Sequence, residues 1–196
     1  MPRPFHAAES LSSFGPSRGS MRPMLDRVPP LTIPWIVLAA SVATLGGAYF
    51  FQYALGYQPC HLCLIERIPY VFAIGAALCA GVLSREANLG IGPVVLLGLC
   101  AAAFAIGAGI SGYHTGVEYK WWPGPSDCTS SGLVANSLAD LQAQIQGGTR
   151  APQCDKAAWT LFGISLAGFN FLISLALFVL SALPVLRYER EAHGVE

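Results

Sequence analysis

Four apolar stretches, at about 34–51, 68–83, 89–112 and 159–186, contain no Asp, Glu, Lys or Arg. A helix needs roughly 20 apolar residues to cross the hydrocarbon of a bilayer, and a helix satisfies its own backbone there. The second stretch, about 16 residues, relies on interfacial residues or local thinning at its ends. The expected fold is therefore all-α: a four-helix transmembrane bundle with two loops on one side. Composition agrees, since 11% charged residues against 54% hydrophobic is far from the roughly 25% charged of a soluble domain.

The net charge of zero carries no orientation, but the placement of basic residues does. Arg3, Arg18, Arg22, Arg27, Arg85, Arg187 and Arg190 fall on one side of the spans. Only Arg67, Lys120, Arg150 and Lys156 fall on the other, over a much longer stretch of chain. Both termini are expected in the cytoplasm, with residues 53–67 and 113–158 outside. The first span is longer than a signal-peptide core and lacks a small-residue cleavage site, so it reads as a retained anchor. Residues 1–33, rich in Pro, Ser and Arg, read as a disordered cytoplasmic tail. Residues 34–186 form the four-span domain and 187–196 a short cytoplasmic tail. Met21 and Met24, just before the first span, are alternative starts.

Local signals fit this division. Thr32 offers an N-cap, and Pro34 and Pro69 sit where first turns tolerate proline. Small residues four apart, Ala39–Ala43–Gly47 and Gly107–Ser111, allow close helix approach in lipid. Tyr49, Phe50, Phe51, Tyr53, Tyr57, Trp121, Trp122 and Trp159 mark an outer interfacial belt. In the second loop, Ser137 begins and Gly147 ends a short helix with Leu138, Leu141 and Ile145 on one side, suited to the membrane surface.

The six cysteines divide by topology. Cys79 and Cys100 lie within spans two and three, where cysteine behaves as a small hydrophobe. Cys60, Cys63, Cys128 and Cys154 lie outside, two in each loop. If that side is a bacterial periplasm, disulfides persist there. Four such cysteines can be structural staples, a metal site or a redox relay. A C-x-x-C pair closes too small a ring to restrain the unfolded chain much, whereas a bridge between Cys128 and Cys154 would contribute roughly 3–4 kcal/mol. Zinc sites of four thiolates usually come as two close pairs, and here 25 residues separate the second two. The close spacing of Cys60 and Cys63 favours the redox reading, because it suits a thiolate that attacks or leaves.

Arg67 lies four residues after Cys63. If one helix carries both, they share a face, and the guanidinium stabilises a thiolate or a reduced acceptor oxygen. Its alternative role is anchoring to lipid phosphate, paired with Glu66. His114, at the outer end of span three, either assists protonation of a reduced acceptor or merely caps the span.

The segments "PCHLCLIER", "HTGVEYKWWPGPSDC" and "QCDKAAW", set among four spans, resemble the DsbB family of quinone-linked disulfide bond formation proteins over residues 34–186. The resemblance implies that Cys60 and Cys63 are a membrane-proximal redox pair, with Cys63 facing the quinone. It implies that Cys128 and Cys154 are the second-loop pair, with Cys128 joining the soluble partner. Arg67 matches the family's quinone-interacting arginine and His114 its nearby histidine. The implied partners are a periplasmic thioredoxin-fold oxidase resembling DsbA and the quinone pool (ubiquinone or menaquinone) of a bacterial inner membrane. No resident metal and no nucleic-acid partner are expected. The stretch between Cys128 and Cys154 departs from the family's pattern, which puts partner preference in doubt. A scaffold with structural disulfides and a vitamin-K-epoxide-reductase-like enzyme are the competing classes; the latter carries its C-x-x-C late in its core rather than after the first span.

Overall fold

The computed structural model describes residues 30–84, 90–125 and 153–192, with isolated positions 138, 142 and 194. The second-loop helix expected over 137–147, the N-terminal tail and Cys128 lie outside the described residues. Helix α1 spans Ile33–Tyr53 after a 3-10 turn at Pro30–Thr32, α2 His61–Ile65, α3 Ile68–Leu83 and α4 Ile91–Glu118. A two-stranded hairpin follows, β1 Thr160–Leu161 and β2 Ile164–Ser165, and then α5 at Leu166–Ala192. Four units are long and apolar enough to cross a membrane: Ile33–Tyr53, His61–Leu83, Ile91–Glu118 and Leu166–Arg190. The chain is a mostly helical, multi-pass membrane protein.

Each helix starts for local reasons. Thr32 occupies the N-cap of α1 without a side-chain capping bond, and proline follows in the first turn as its missing N–H allows. Pro69 does the same for α3. Pro69 also has no N–H to give the carbonyl of Ile65, so the helix breaks between α2 and α3. Cys63 therefore lies on α2, and Arg67 is the N-cap of α3.

Several span limits differ from the sequence expectation, and the second unit begins at His61 rather than 68, which makes it 23 residues long. The third helix runs on to Glu118, because its polar residues turn inward: His114 is 1% exposed. The fourth begins at Leu166, not 159. Phe162 and Gly163 both adopt positive φ, 51° and 80°, which makes a tight hairpin turn of the apolar segment ahead of it. Thr160 pairs with Ser165 and Leu161 with Ile164.

Helix α4 packs against both α3 and α5, and α1 leans chiefly on α3. The core joins Ile33, Val37, Tyr70, Ala73, Ala77, Leu97, Phe104 and Leu177. Bulky side chains such as Phe72, Leu99, Ile106 and Val179 stay exposed, as befits surfaces that meet lipid. Gly107 works as its spacing suggests, since a Cβ there would stand 3.3 Å from Pro69. Ala39 and Ala43 instead lie on the exposed side of α1, whose packed face is Ile33, Val37 and Ser41. Close approach in lipid rests on van der Waals contact, and here the Ala-rich face of α3 supplies it.

Candidate functional site: a dithiol beside an enclosed polar cluster

Cys60 is the N-cap of α2, and its Sγ accepts from the backbone N–H of Cys63 at 3.3 Å. Capping geometry explains the motif, because an N-cap side chain reaches the N–H three residues on. The two Sγ atoms consequently lie 2.8 Å apart. Cys60 is buried and Cys63 half-buried. The hydrogen bond with Cys63 and then burial push the Cys60 thiol up to about 12, against a smaller opposing effect of His114.

Cys154 comes from the far loop and packs in one cluster with Cys60, Leu62 and Cys63, itself 1% exposed. Its neighbour Asp155 pairs with Lys120 just past the end of α4, and the Lys120 hydrogen bond holds the Asp155 carboxyl below its ordinary range. Tyr119 adds a second tie: its hydroxyl donates to the Gly163 carbonyl and accepts from the Ser165 N–H. Lys120 takes a positive φ of 62°, which turns the chain back so that Trp122 covers Gly116. A Cβ at Gly116 would collide with that indole, so the close approach requires glycine.

Below the sulfurs lies a hydrogen-bonded chain. His114 Nε2 is 3.6 Å from Cys60 Sγ, and His114 Nδ1 is 2.7 Å from Glu66 Oε1. Asn170 Nδ2 donates to Glu66 Oε2 at 2.8 Å. Tyr70 donates to Asn170 Oδ1 at 2.6 Å and meets Ser174 at 2.8 Å. Glu118 Oε1 is 3.8 Å from His114 Nε2. The sequence reading placed His114 near this site but missed Glu66, Asn170, Tyr70 and Glu118. Asn170 had a signal, because a polar side chain inside an apolar span is costly unless it has a partner or a task.

Arg67 does not pair with Glu66. Its Nη1 donates to Gln52 Oε1 at 2.8 Å, and its guanidinium lies 4.9 Å above the Tyr49 ring, both on α1. Gln52 and Arg67 border a cavity of about 550 Å³, within the range of small-molecule sites. Cys60, Cys63, Arg67 and His114 all line it, with Phe51 and Ile173 among its apolar walls. Cys79 and Cys100 do not. Cys100 is fully buried in the helix core, and Cys79 lies exposed on α3.

A bundle of four spans with a capped dithiol, a third cysteine packed on it and a cavity alongside defines a membrane protein equipped for thiol–disulfide exchange. Residues 31–184 match the family described as "Disulfide bond formation protein DsbB". A disulfide bond formation protein B of Methylococcus capsulatus is 32% identical over 151 residues, covering 76% of this chain and 89% of the relative. One of Burkholderia pseudomallei is 34% identical over 155 residues, covering 76% and 85%. One of Acidovorax is 28% identical over 169 residues, covering 83% and 91%. No solved structure matches significantly. The chain belongs to the DsbB family, membrane oxidoreductases of disulfide bond formation.

Proposed function

We propose that the protein reoxidises a soluble dithiol oxidase of the thioredoxin fold, resembling DsbA, and delivers the electrons to a membrane quinone, from the periplasmic side of a bacterial inner membrane with both termini cytoplasmic. The observation that carries this reading is the packing of Cys154 on the Cys60–Cys63 pair at the wall of the cavity.

The packing of Cys154 on Cys60 and Cys63 supports the thiol steps, with Cys128 in the role that the family resemblance implies. The partner's thiolate opens a Cys128–Cys154 disulfide by joining Cys128, and Cys154 leaves as the thiolate. Cys154 then attacks Cys60 in a Cys60–Cys63 disulfide, and Cys63 leaves. The partner's second thiol releases Cys128 and becomes half of the partner's new disulfide. Cys128 then resolves the Cys154–Cys60 bond, restoring its own pair and leaving Cys60 and Cys63 as a dithiol. Closing that dithiol again yields two electrons and two protons.

The cavity fits a quinone ring. Its walls are largely apolar, and Arg67 and His114 both line it. A bound quinone supplies the two-electron, two-proton acceptor. Arg67, held by Gln52 and Tyr49, keeps a fixed fork of donors at the cavity wall, and His114, backed by Glu66, holds a proton at Nδ1. Oxidation of a reduced DsbA-like partner by purified protein should proceed only with added ubiquinone or menaquinone analogue, with one quinol formed per partner disulfide. Partner oxidation at an unchanged rate without quinone, or its absence with every quinone, would sink the proposal.

A further inference from the structure

We propose that the reduced protein carries a metal site in which Cys60, Cys63 and His114 bind one thiophilic divalent cation of the zinc type. The three ligand atoms lie within 4.8 Å of one another. A tetrahedral zinc with bonds of about 2.3 Å to sulfur and 2.0–2.1 Å to nitrogen sets its sulfur–nitrogen edge near 3.6 Å and its sulfur–sulfur edge near 3.8 Å. The Cys60–His114 edge already measures 3.6 Å. The sulfurs, 2.8 Å apart, separate by roughly 1 Å as Cys63 Sγ, within 4.8 Å of the other ligand atoms, turns toward the His114 side, a rotation open to the half-buried Cys63.

The surroundings point the same way. A histidine that binds metal through one ring nitrogen characteristically donates the other N–H to a carboxylate, which fixes the tautomer. His114 Nδ1 faces Glu66 Oε1 at 2.7 Å, and Asn170 steadies the other Glu66 oxygen. Glu118 supplies a second, separate indication. Its carboxylate is 5% exposed with Oε1 3.8 Å from His114 Nε2, and its Oε2 has no hydrogen-bond partner among the described residues. A buried carboxylate oxygen left open calls for a partner, and a cation bound by His114 would bring one close. Three protein ligands with a fourth position facing a cavity is an open arrangement.

Binding is a proton exchange without electron transfer. Two thiols lose their protons, two metal–sulfur bonds form, and two protons enter solution. The same sulfurs cannot hold a cation and a disulfide together. The cation therefore arrests the protein in its reduced form, and a chelator releases it. This inference does not depend on the identity of the electron acceptor.

The test uses the full-length protein in detergent, reduced and stripped of metal, titrated with cobalt(II) and then zinc(II). One equivalent should bind, with a tetrahedral cobalt spectrum and a zinc affinity tighter than about micromolar. Disulfide-oxidised protein should bind none. His114→Gln should remove the site, Glu66→Gln should weaken it by about ten- to a hundredfold, and Cys128→Ser with Cys154→Ser should leave it intact. X-ray absorption of the wild-type zinc complex should count two sulfurs and at least one imidazole, which holds the test open even if His114→Gln fails to fold. A shell of three or four sulfurs, loss of binding in the Cys128/Cys154 double variant, equal binding in folded His114→Gln, or no binding at micromolar zinc would each overturn the proposal.

Discussion

Toward one end of the bundle, Ala73, Ala77, Ala80, Leu97 and Cys100 pack with no room for anything larger. Farther along, Glu66 at the end of α2 and His114 on α4 are also buried, yet they are bonded into a polar chain bordering a cavity of about 550 Å³. The comparison shows how one pair of helices can serve two purposes. Small side chains let α3 and α4 approach at one end, and that rigid contact fixes the polar groups at the other. Cysteine illustrates the contrast best. Cys100 is a filler between helices, whereas Cys60 is an N-cap in contact with a second thiol and an imidazole.

The largest expected effect breaks the comparison at its chemical centre. Cys63→Ser should abolish quinone reduction, while Cys79→Ala and Cys100→Ala should retain nearly all of it in the same partner-oxidation assay. Loss in either of the latter two, with normal folding, would move the working thiols into the spans. Next comes stability. Glu66→Ala strands two donors, those of His114 and Asn170, each costing about 1–3 kcal/mol when buried without a partner. Phe104→Ala loses no transfer term in lipid and leaves mainly a cavity, about 2 kcal/mol. Unfolding in mixed micelles should rank Glu66→Ala as at least equally damaging; a neutral Glu66→Ala would show the polar chain contributes little to the fold.

Arg67 sharpens the functional side. Lysine retains the charge but loses the fork that spans Gln52 and the Tyr49 face. Arg67→Lys should lower kcat/KM for quinone about tenfold and Arg67→Ala up to about a hundredfold, each tenfold being about 1.4 kcal/mol. Partner exchange at Cys128 should persist. Identical quinone kinetics in both variants would return Arg67 to a lipid anchor. The smallest effect is a pH slope. The Cys60 thiol is raised from 9.0 to about 12, so the unfolded chain ionises first. The stability this shift gives the reduced protein is present below about pH 9 and fades as pH rises toward 12. Denaturation at stepped pH should show a slope that Cys60→Ser removes.

Much of this could be read from sequence, for physical reasons that also explain the misses. Charge-free runs located four spans because lipid tolerates little else. The C-x-x-C pair and the inward-facing histidine stood out by residue type. The segment from 159 to 165 was mistaken for helix because Trp-Thr-Leu-Phe-Gly-Ile is apolar, while its turn lacks the usual Asn-Gly or Asp-Gly pair. Glu66 was read as a partner for Arg67 because the two are adjacent in sequence. Consecutive residues on helical backbone do not face each other, and these two reach different neighbours: Glu66 reaches His114 and Asn170, Arg67 reaches Gln52 and Tyr49. Asn170 and Tyr70 went unnoticed because only formal charges were sought within the spans.

The ties from Tyr119 and Lys120 that hold the hairpin and Asp155 against α4 have a kinetic meaning. With Cys154 already buried beside Cys60, the proposed exchange between the two loops is a first-order event inside one molecule. Groups so held can react as though at effective concentrations of about 10⁵ M or more. Diluting the protein in its membrane leaves that step untouched, and crowding it there gains nothing. In the proposed reaction, concentration enters the rate law only where something arrives from outside: the partner from water, the acceptor from lipid.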